Sequence, residues 1–212
     1  MNEFRDIIVI VSLFFIFGLT HSVLASNWLK QKLIEKLGKK IAFYRLFYNA
    51  FALFSFYLIY LVSPKPGLTI YDLDYPLDLI VLLLQFLSLI GLVRTALSID
   101  GLEFFGISQI RRYFNGSYNL DDIDESSELI TRGPYRYSRH PLYLYTILFL
   151  ALRPAMDLFY LVLLTCLIAY FYIGSVFEEK KLIRKFGENY ISYMKTGPRI
   201  IPFNFRKIKH KS

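Results

Sequence analysis

Cysteine, charge and histidine are all scarce in this chain of 212 residues. The one cysteine, Cys166, has no second cysteine to join, which excludes an intrachain disulfide framework. Charged residues make up only 20% against 55% apolar ones, a balance that excludes intrinsic disorder and is too apolar for an ordinary soluble domain. No grouping of His, Cys, Asp or Glu has metal-ligand spacing, so no metal is expected, and neither a Gly-rich phosphate loop nor a Ser-based triad is present. What the chain has instead is long apolar runs and a mean hydropathy of +0.39. The expected fold class is all-α: a polytopic membrane protein whose first partner is the lipid bilayer.

A bilayer core of about 30 Å takes roughly 20 apolar residues to cross as a helix. Ile7 to Leu19, extended by Ser22 to Ala25, makes a first span. Ile41 to Val62 makes a second, with Arg45 near one end where its stem reaches the interface, and Leu77 to Ile99 makes a third. Pro141 to Leu152 is too short unless its helix begins near Ser138, whereas Leu158 to Phe177 spans, with Arg153-Pro154 as the corner between them. The expectation is about five transmembrane helices. Between the first two, Ser26 or Asn27 caps a short helix with Trp28, Leu29, Leu33 and Leu37 on one side and Lys30, Lys32 and Lys36 on the other, ending at Gly38 and lying flat on the surface.

The net charge of +8 follows this layout. Five lysines fall in residues 26–40, five arginines in residues 100–140, and ten Lys and Arg after Phe177; the opposite side holds only Arg5, Lys65 and Arg153. The bias places the N-terminus outside and the C-terminus in the cytoplasm, and it needs no nucleic acid to explain it. A cleaved N-terminal signal, with Val23 and Ala25 before the cut, is the competing reading and would invert every later span. The long connection from Asp100 to Arg139 shows no clear helix or strand pattern.

Chemistry concentrates in two places. Arg136, Arg139 and His140 surround the start of the fourth apolar helix, where Pro141 suits the first turn and free N–H groups favour an anion. Taken alone this reads equally as a basic interfacial anchor. Glu178 and Glu179 follow the last apolar span, where a carboxylate needs a cation, and Lys181, three residues on, is the local candidate.

Together the blocks Glu128-Leu-Ile-Thr-Arg-Gly-Pro-Tyr135, Arg139-His-Pro-Leu-Tyr143, Glu178-Glu179, Phe186-Gly-Glu-Asn-Tyr190 and Pro198-Arg-Ile-Ile-Pro202 resemble the isoprenylcysteine carboxyl methyltransferase family. Related membrane methyltransferases act on phosphatidylethanolamine and on methanethiol, and Glu103-Phe-Phe-Gly-Ile-Ser-Gln109 looks more like the methanethiol branch. The resemblance implies an S-adenosylmethionine site in one structural domain. Three helices and the interfacial helix fill residues 1–99, and residues 100–212 supply a cofactor loop, the helical hairpin and a cytoplasmic C-terminal helix. The implied cofactor contacts are Ser127, Glu128, Leu129, Ile130, Tyr135, Arg139, His140, Pro141, Leu142, Tyr143 and Glu178, with Glu179 the second acid of the family pair. His140 and Glu179 are the catalytic candidates.

In the prenylcysteine enzymes an Arg one helical turn before the acidic pair helps handle the substrate carboxylate; here that position is Gly174, serving either close packing or room for substrate. This favours a small or lipophilic thiol, or another apolar nucleophile, as partner over a prenylcysteine carboxylate, with a phospholipid as a further alternative. Methyl transfer would be direct, and a neutral thiol needs a base, for which His140, with an unperturbed pKa of about 6.5, is the candidate unless it serves only as a cofactor contact. Other classes remain in view: a haem protein ligated by His21 and His140, and a non-catalytic assembly factor or transporter of the same fold. Cys166 reads as packing, and His210 with its neighbouring lysines as a tail that touches anionic lipid.

Overall fold

Apolar runs become helices from the first described residues. The computed structural model describes residues 3–120 and 128–201; Ser127 and the basic tail around His210, both named above, lie outside them. The chain divides into two units, the first drawn from Met1–Leu68, Ile99–Ser127 and Asp157–Leu163, the second from Thr69–Ser98, Glu128–Met156 and Leu164–Ser212.

In the first unit, α1 (Glu3–Ala25) is followed at once by α2 (Asn27–Leu37). Ser26 caps α2 as expected, its Oγ accepting from Leu29 N at 3.3 Å, and Gly38 ends it at φ +51°, a conformation that favours glycine. A 3-10 turn, Gly38–Phe43, leads into α3 (Tyr44–Val62), so the second span's helix starts as a tighter coil than the periodicity suggests. Ile41 and Ala42 of that turn pack with Tyr118 in a small core. Tyr44 donates its hydroxyl to Leu24 O, tying the start of α3 to the end of α1.

The connection after the third span is more ordered than its sequence pattern predicts. It forms α5 (Gly101–Phe105) and α6 (Ile107–Phe114), elements too short for a period to be read. Asp100 caps α5 through Glu103 N, and Gly106 turns the chain at φ +87°, where a Cβ would strike Leu46 N and Arg45 Cβ. Arg45 does more than reach an interface: its Nε and the Asn49 amide both donate to Phe104 O at 2.9 Å. Arg112 grips both oxygens of Glu103 at 2.9 Å, the two-point geometry that makes Arg–carboxylate pairs specific.

In the second unit, β1 (Thr69–Asp72) pairs with β2 (Ala155–Asp157), a two-stranded exception to an otherwise helical fold. Leu73 N donates to Pro154 O, and Tyr71 OH to Arg153 O. Next in the chain, α4 (Leu77–Leu97) packs along α7 (Pro141–Ala151). Gln85 donates to Phe149 O at 2.9 Å, and Gly91 lies flat under the Tyr145 ring, in the place a Cβ would occupy. Gly91→Ala therefore overpacks this crossing and is expected to lower stability by about 1–3 kcal/mol, seen as a lower melting temperature in detergent; an unchanged melt contradicts the close approach. The last elements are α8 (Leu158–Phe186) and α9 (Glu188–Met194), separated by Gly187 at φ +54°.

Among the described residues, four helical runs are long and apolar enough to cross a membrane: Glu3–Ala25, Asn27–Val62, Leu77–Leu97 and Leu158–Phe186. α7 begins at Pro141 and not near Ser138, because the turn before it is held by other bonds. Its 11 residues rise about 16 Å, too little to cross alone.

Candidate active site

The turn that enters α7 is pinned from the C-terminal side. Gly133, at φ +63°, opens a 3-10 turn ending at Arg136, and the chain then meets the segment Pro198–Ile200. Arg139 N donates to Pro198 O and His140 N to Arg199 O, both at 3.0 Å. Ser138, fully buried, donates its Oγ to Arg199 O at 3.2 Å and accepts from His140 N. Ile200 then packs with Leu144 and Ile147 of α7. His140 precedes α7 and makes no side-chain hydrogen bond to cap it, so the amide of Leu142, the first beyond Pro141, has no intrahelical acceptor.

Successive residues of a helix point about 100° apart, so the two glutamates of α8 meet different partners. Glu178 Oε2 accepts from Tyr143 OH at 2.9 Å and lies 3.2 Å from His140 Nδ1. Glu179, almost wholly buried, accepts from Arg139 Nε at 2.7 Å on Oε1 and from Arg199 Nε at 2.9 Å on Oε2. The other end of the Arg139 guanidinium is spent on Met194 O and Gly197 O. Beyond the local candidate Lys181, Glu178 meets His140 and Tyr143, groups 35 or more residues distant in sequence. With both oxygens on guanidinium groups, Glu179 acts as a clamp that positions its neighbours.

Aromatic rings line one side. Tyr143 lies parallel to Phe171 at 4.4 Å and to His140 at 5.2 Å. Gly174 sits on α8 between Phe171 and Glu178, and a Cβ there would meet nothing within 4 Å, so of the two roles considered for this glycine the open-space one fits and close packing does not. Tyr190 is buried with a hydroxyl that lacks a hydrogen-bond partner; Tyr193 donates to Tyr135 O, and burial pushes its own pKa up to about 12.

Burial acts on His140 to lower its pKa, but hydrogen bonding and charge from Glu178 and Glu179 outweigh it and raise the value above 6.5. Its Nε2 is buried, 3.6 Å from Glu179 Oε1 and without a hydrogen-bond partner. A raised folded pKa means that the folded state binds the proton more tightly than the unfolded chain. The resulting stabilisation is complete below about pH 6.5, the unfolded value, and is lost as pH rises through the folded one. The melting temperature is expected to fall across that window, and His140→Asn to flatten the fall; an unchanged slope in the variant would count against the pairing.

Of the residues expected from sequence, Arg139, His140, Tyr143, Glu178 and Glu179 converge, with Pro141 and Leu142 in the same helical turn and Tyr135 joined through Tyr193. Glu128 is exposed, and Leu129 and Ile130 are half-buried. Sequence reading missed Arg199, Ser138 and Phe171. Arg199 lies inside the Pro198–Pro202 motif, which is the signal that would have found it. Among the described residues no group of three His, Cys, Asp or Glu is arranged to hold a metal ion.

Membrane-length helices and a buried acid–base cluster at a helix N-terminus define an integral membrane protein with a site built for chemistry. The family described as phospholipid methyltransferase matches residues 86–189. The chain is 30% identical over 205 residues to the methanethiol S-methyltransferase of Crocosphaera subtropica, an alignment covering 95% of this chain and 76% of that protein. It is 26% identical over 199 residues to methanethiol S-methyltransferase 1 of Bradyrhizobium diazoefficiens, covering 93% of this chain and 67% of that one. No solved structure matches the chain. The protein belongs to this family of membrane methyltransferases, and it is an enzyme.

Proposed function

We propose that the enzyme transfers a methyl group from S-adenosylmethionine to a small or lipophilic thiol, at a site on the cytoplasmic side of the membrane. The observation that carries this reading is the meeting of Glu178, His140 and the uncapped start of α7 beside the Tyr143 and Phe171 rings. These groups fit such a donor. Glu178 Oε1 is outside the bonds that hold Oε2 and suits an ammonium group, the Leu142 amide at the start of α7 suits a carboxylate, and the parallel rings suit a purine. When bound, the donor supplies an electrophilic methyl group on a sulfonium.

The protein's part is alignment and exclusion of water. Arg139, Glu179 and Arg199 hold the turn, and Glu178 fixes the His140 ring through Nδ1. In the neutral imidazole, Nε2 takes the thiol proton while Nδ1–H stays on Glu178. Turnover is then expected to rise with pH above about 6.5; a profile unchanged in His140→Ala removes the base assignment and leaves His140 a cofactor contact.

The printed names of the relatives support a thiol acceptor. Gly174 contributes no cation for a prenylcysteine carboxylate, whereas the match over residues 86–189 favours a phospholipid as the second reading. A labelled-donor assay of purified enzyme with an alkyl thiol, a prenylcysteine and phosphatidylethanolamine in parallel decides: label in the thiol is expected, and label in the lipid alone overturns the reading. The charge bias supports an outside N-terminus and cytoplasmic C-terminus, with α7 and its non-helical exit at Leu152–Pro154 making the fourth of five passages. Reporter fusions at both ends test this, and a shared side contradicts it.

A further inference from the structure

Away from the candidate active site, the first unit contains an apolar groove of about 390 Å³. Leu29, Leu33 and Leu37, spaced four residues apart on α2, form one wall; Phe43 and Phe47 form the other, and Lys40 is the charged side chain among them. Leu37, Phe43 and Phe47 are 44%, 38% and 56% exposed, so the apolar face of α2 opens onto the outside of the protein. The groove lies where α1 ends and α3 begins, two membrane-length segments whose ends Tyr44 and Leu24 tie together. That is the level at which the hydrocarbon of a bilayer gives way to headgroups.

We infer that this groove holds an acyl chain of an anionic phospholipid, with Lys40 meeting the headgroup charge. The walls match hydrocarbon along their length and offer almost nothing to a polar ligand. Charge sets the headgroup. Residues 26–40 carry five lysines against one acid, Glu35, and basic side chains at this level attract anionic lipid. A neutral lipid offers the Lys40 of the lining no countercharge.

Trp28, the single tryptophan of the chain, sits on α2 and reports locally. The purified full-length enzyme is reconstituted in phosphatidylcholine vesicles containing phosphatidylglycerol brominated on its acyl chains, or the same fraction of brominated phosphatidylcholine. Brominated phosphatidylglycerol is expected to quench Trp28 at a several-fold lower mole fraction. Lys40→Gln should bring the two curves together with methyl transfer unchanged, whereas Lys36→Gln, the same charge loss outside the groove lining, should leave them apart. Leu33→Phe, which fills the groove, should weaken quenching by phosphatidylglycerol at unchanged helicity; should that variant not fold, the lysine pair decides alone. Equal quenching by both lipids in the wild type, or equal effects of the two lysine variants, overturns the inference, since diffuse surface attraction then accounts for all of it.

Discussion

Replacing Glu179 with Ala is expected to destabilise the enzyme by about 3–5 kcal/mol, the range for removing one partner of a buried ion pair. For a chain of this size that corresponds to a fall in melting temperature on the order of 10 °C. Arg139, only 9% exposed in its side chain, loses the acceptor for its Nε, and Arg199 loses the carboxylate that holds it. The carbonyls of Met194 and Gly197 remain, but neither carries a charge. The segment carrying Pro198 to Ile200 should loosen with them, because its backbone bonds to Arg139 and His140 depend on the same turn. Thermal melting in detergent measures the loss, and limited proteolysis after Gly197 locates it. Adding Arg139→Met to a Glu179→Met variant should recover part of the stability, since it removes the stranded cation. Additive effects in that cycle, or an unmoved melt in Glu179→Ala, would show that the two guanidinium groups are not held as described.

Glu178→Gln is expected to behave in the opposite way, with little change in melting and a fall of about 10- to 100-fold in affinity for S-adenosylmethionine. The basis is the net worth of a hydrogen bond to a charged group, about 1.5–3 kcal/mol, most of which a neutral amide acceptor gives up. Glu178 is 43% exposed in its side chain, and the amide oxygen of Gln can still accept from Tyr143 OH, so the fold has little to lose. Isothermal titration with the donor reads the effect, and wild-type binding by Glu178→Gln would remove Glu178 from the donor site. Two adjacent glutamates are thus expected to differ, Glu179 acting mainly on folding and Glu178 mainly on ligand binding, with a share in the His140-linked stability at low pH.

Much of the architecture was legible from local signals. Long uncharged runs marked four membrane-length segments, because only helices satisfy the backbone in hydrocarbon. Ser26 or Asn27 and Gly38 marked the ends of α2, because capping and positive-φ demands are met within a few residues. The helices α5 and α6 were not legible, since five and eight residues are too few for a period and their support comes from Arg45 and Asn49, more than 50 residues earlier. At the site, sequence pointed to the two stretches that meet in the structure and offered Glu178 only its neighbour Lys181. A residue three positions away is visible in a helical repeat; His140 and Tyr143 are not.

The sequence by itself thus determined which long apolar segments are helical and which residue types gather at the start of α7 and the end of the apolar part of α8, because propensity, capping and transfer into lipid act over a turn or a span. Only the tertiary structure decided that Glu179 closes on two arginines while Glu178 takes a histidine and a tyrosine. The 100° step between neighbouring helical residues turns their side chains in different directions, and what waits there depends on packing between segments 20 to 40 residues apart.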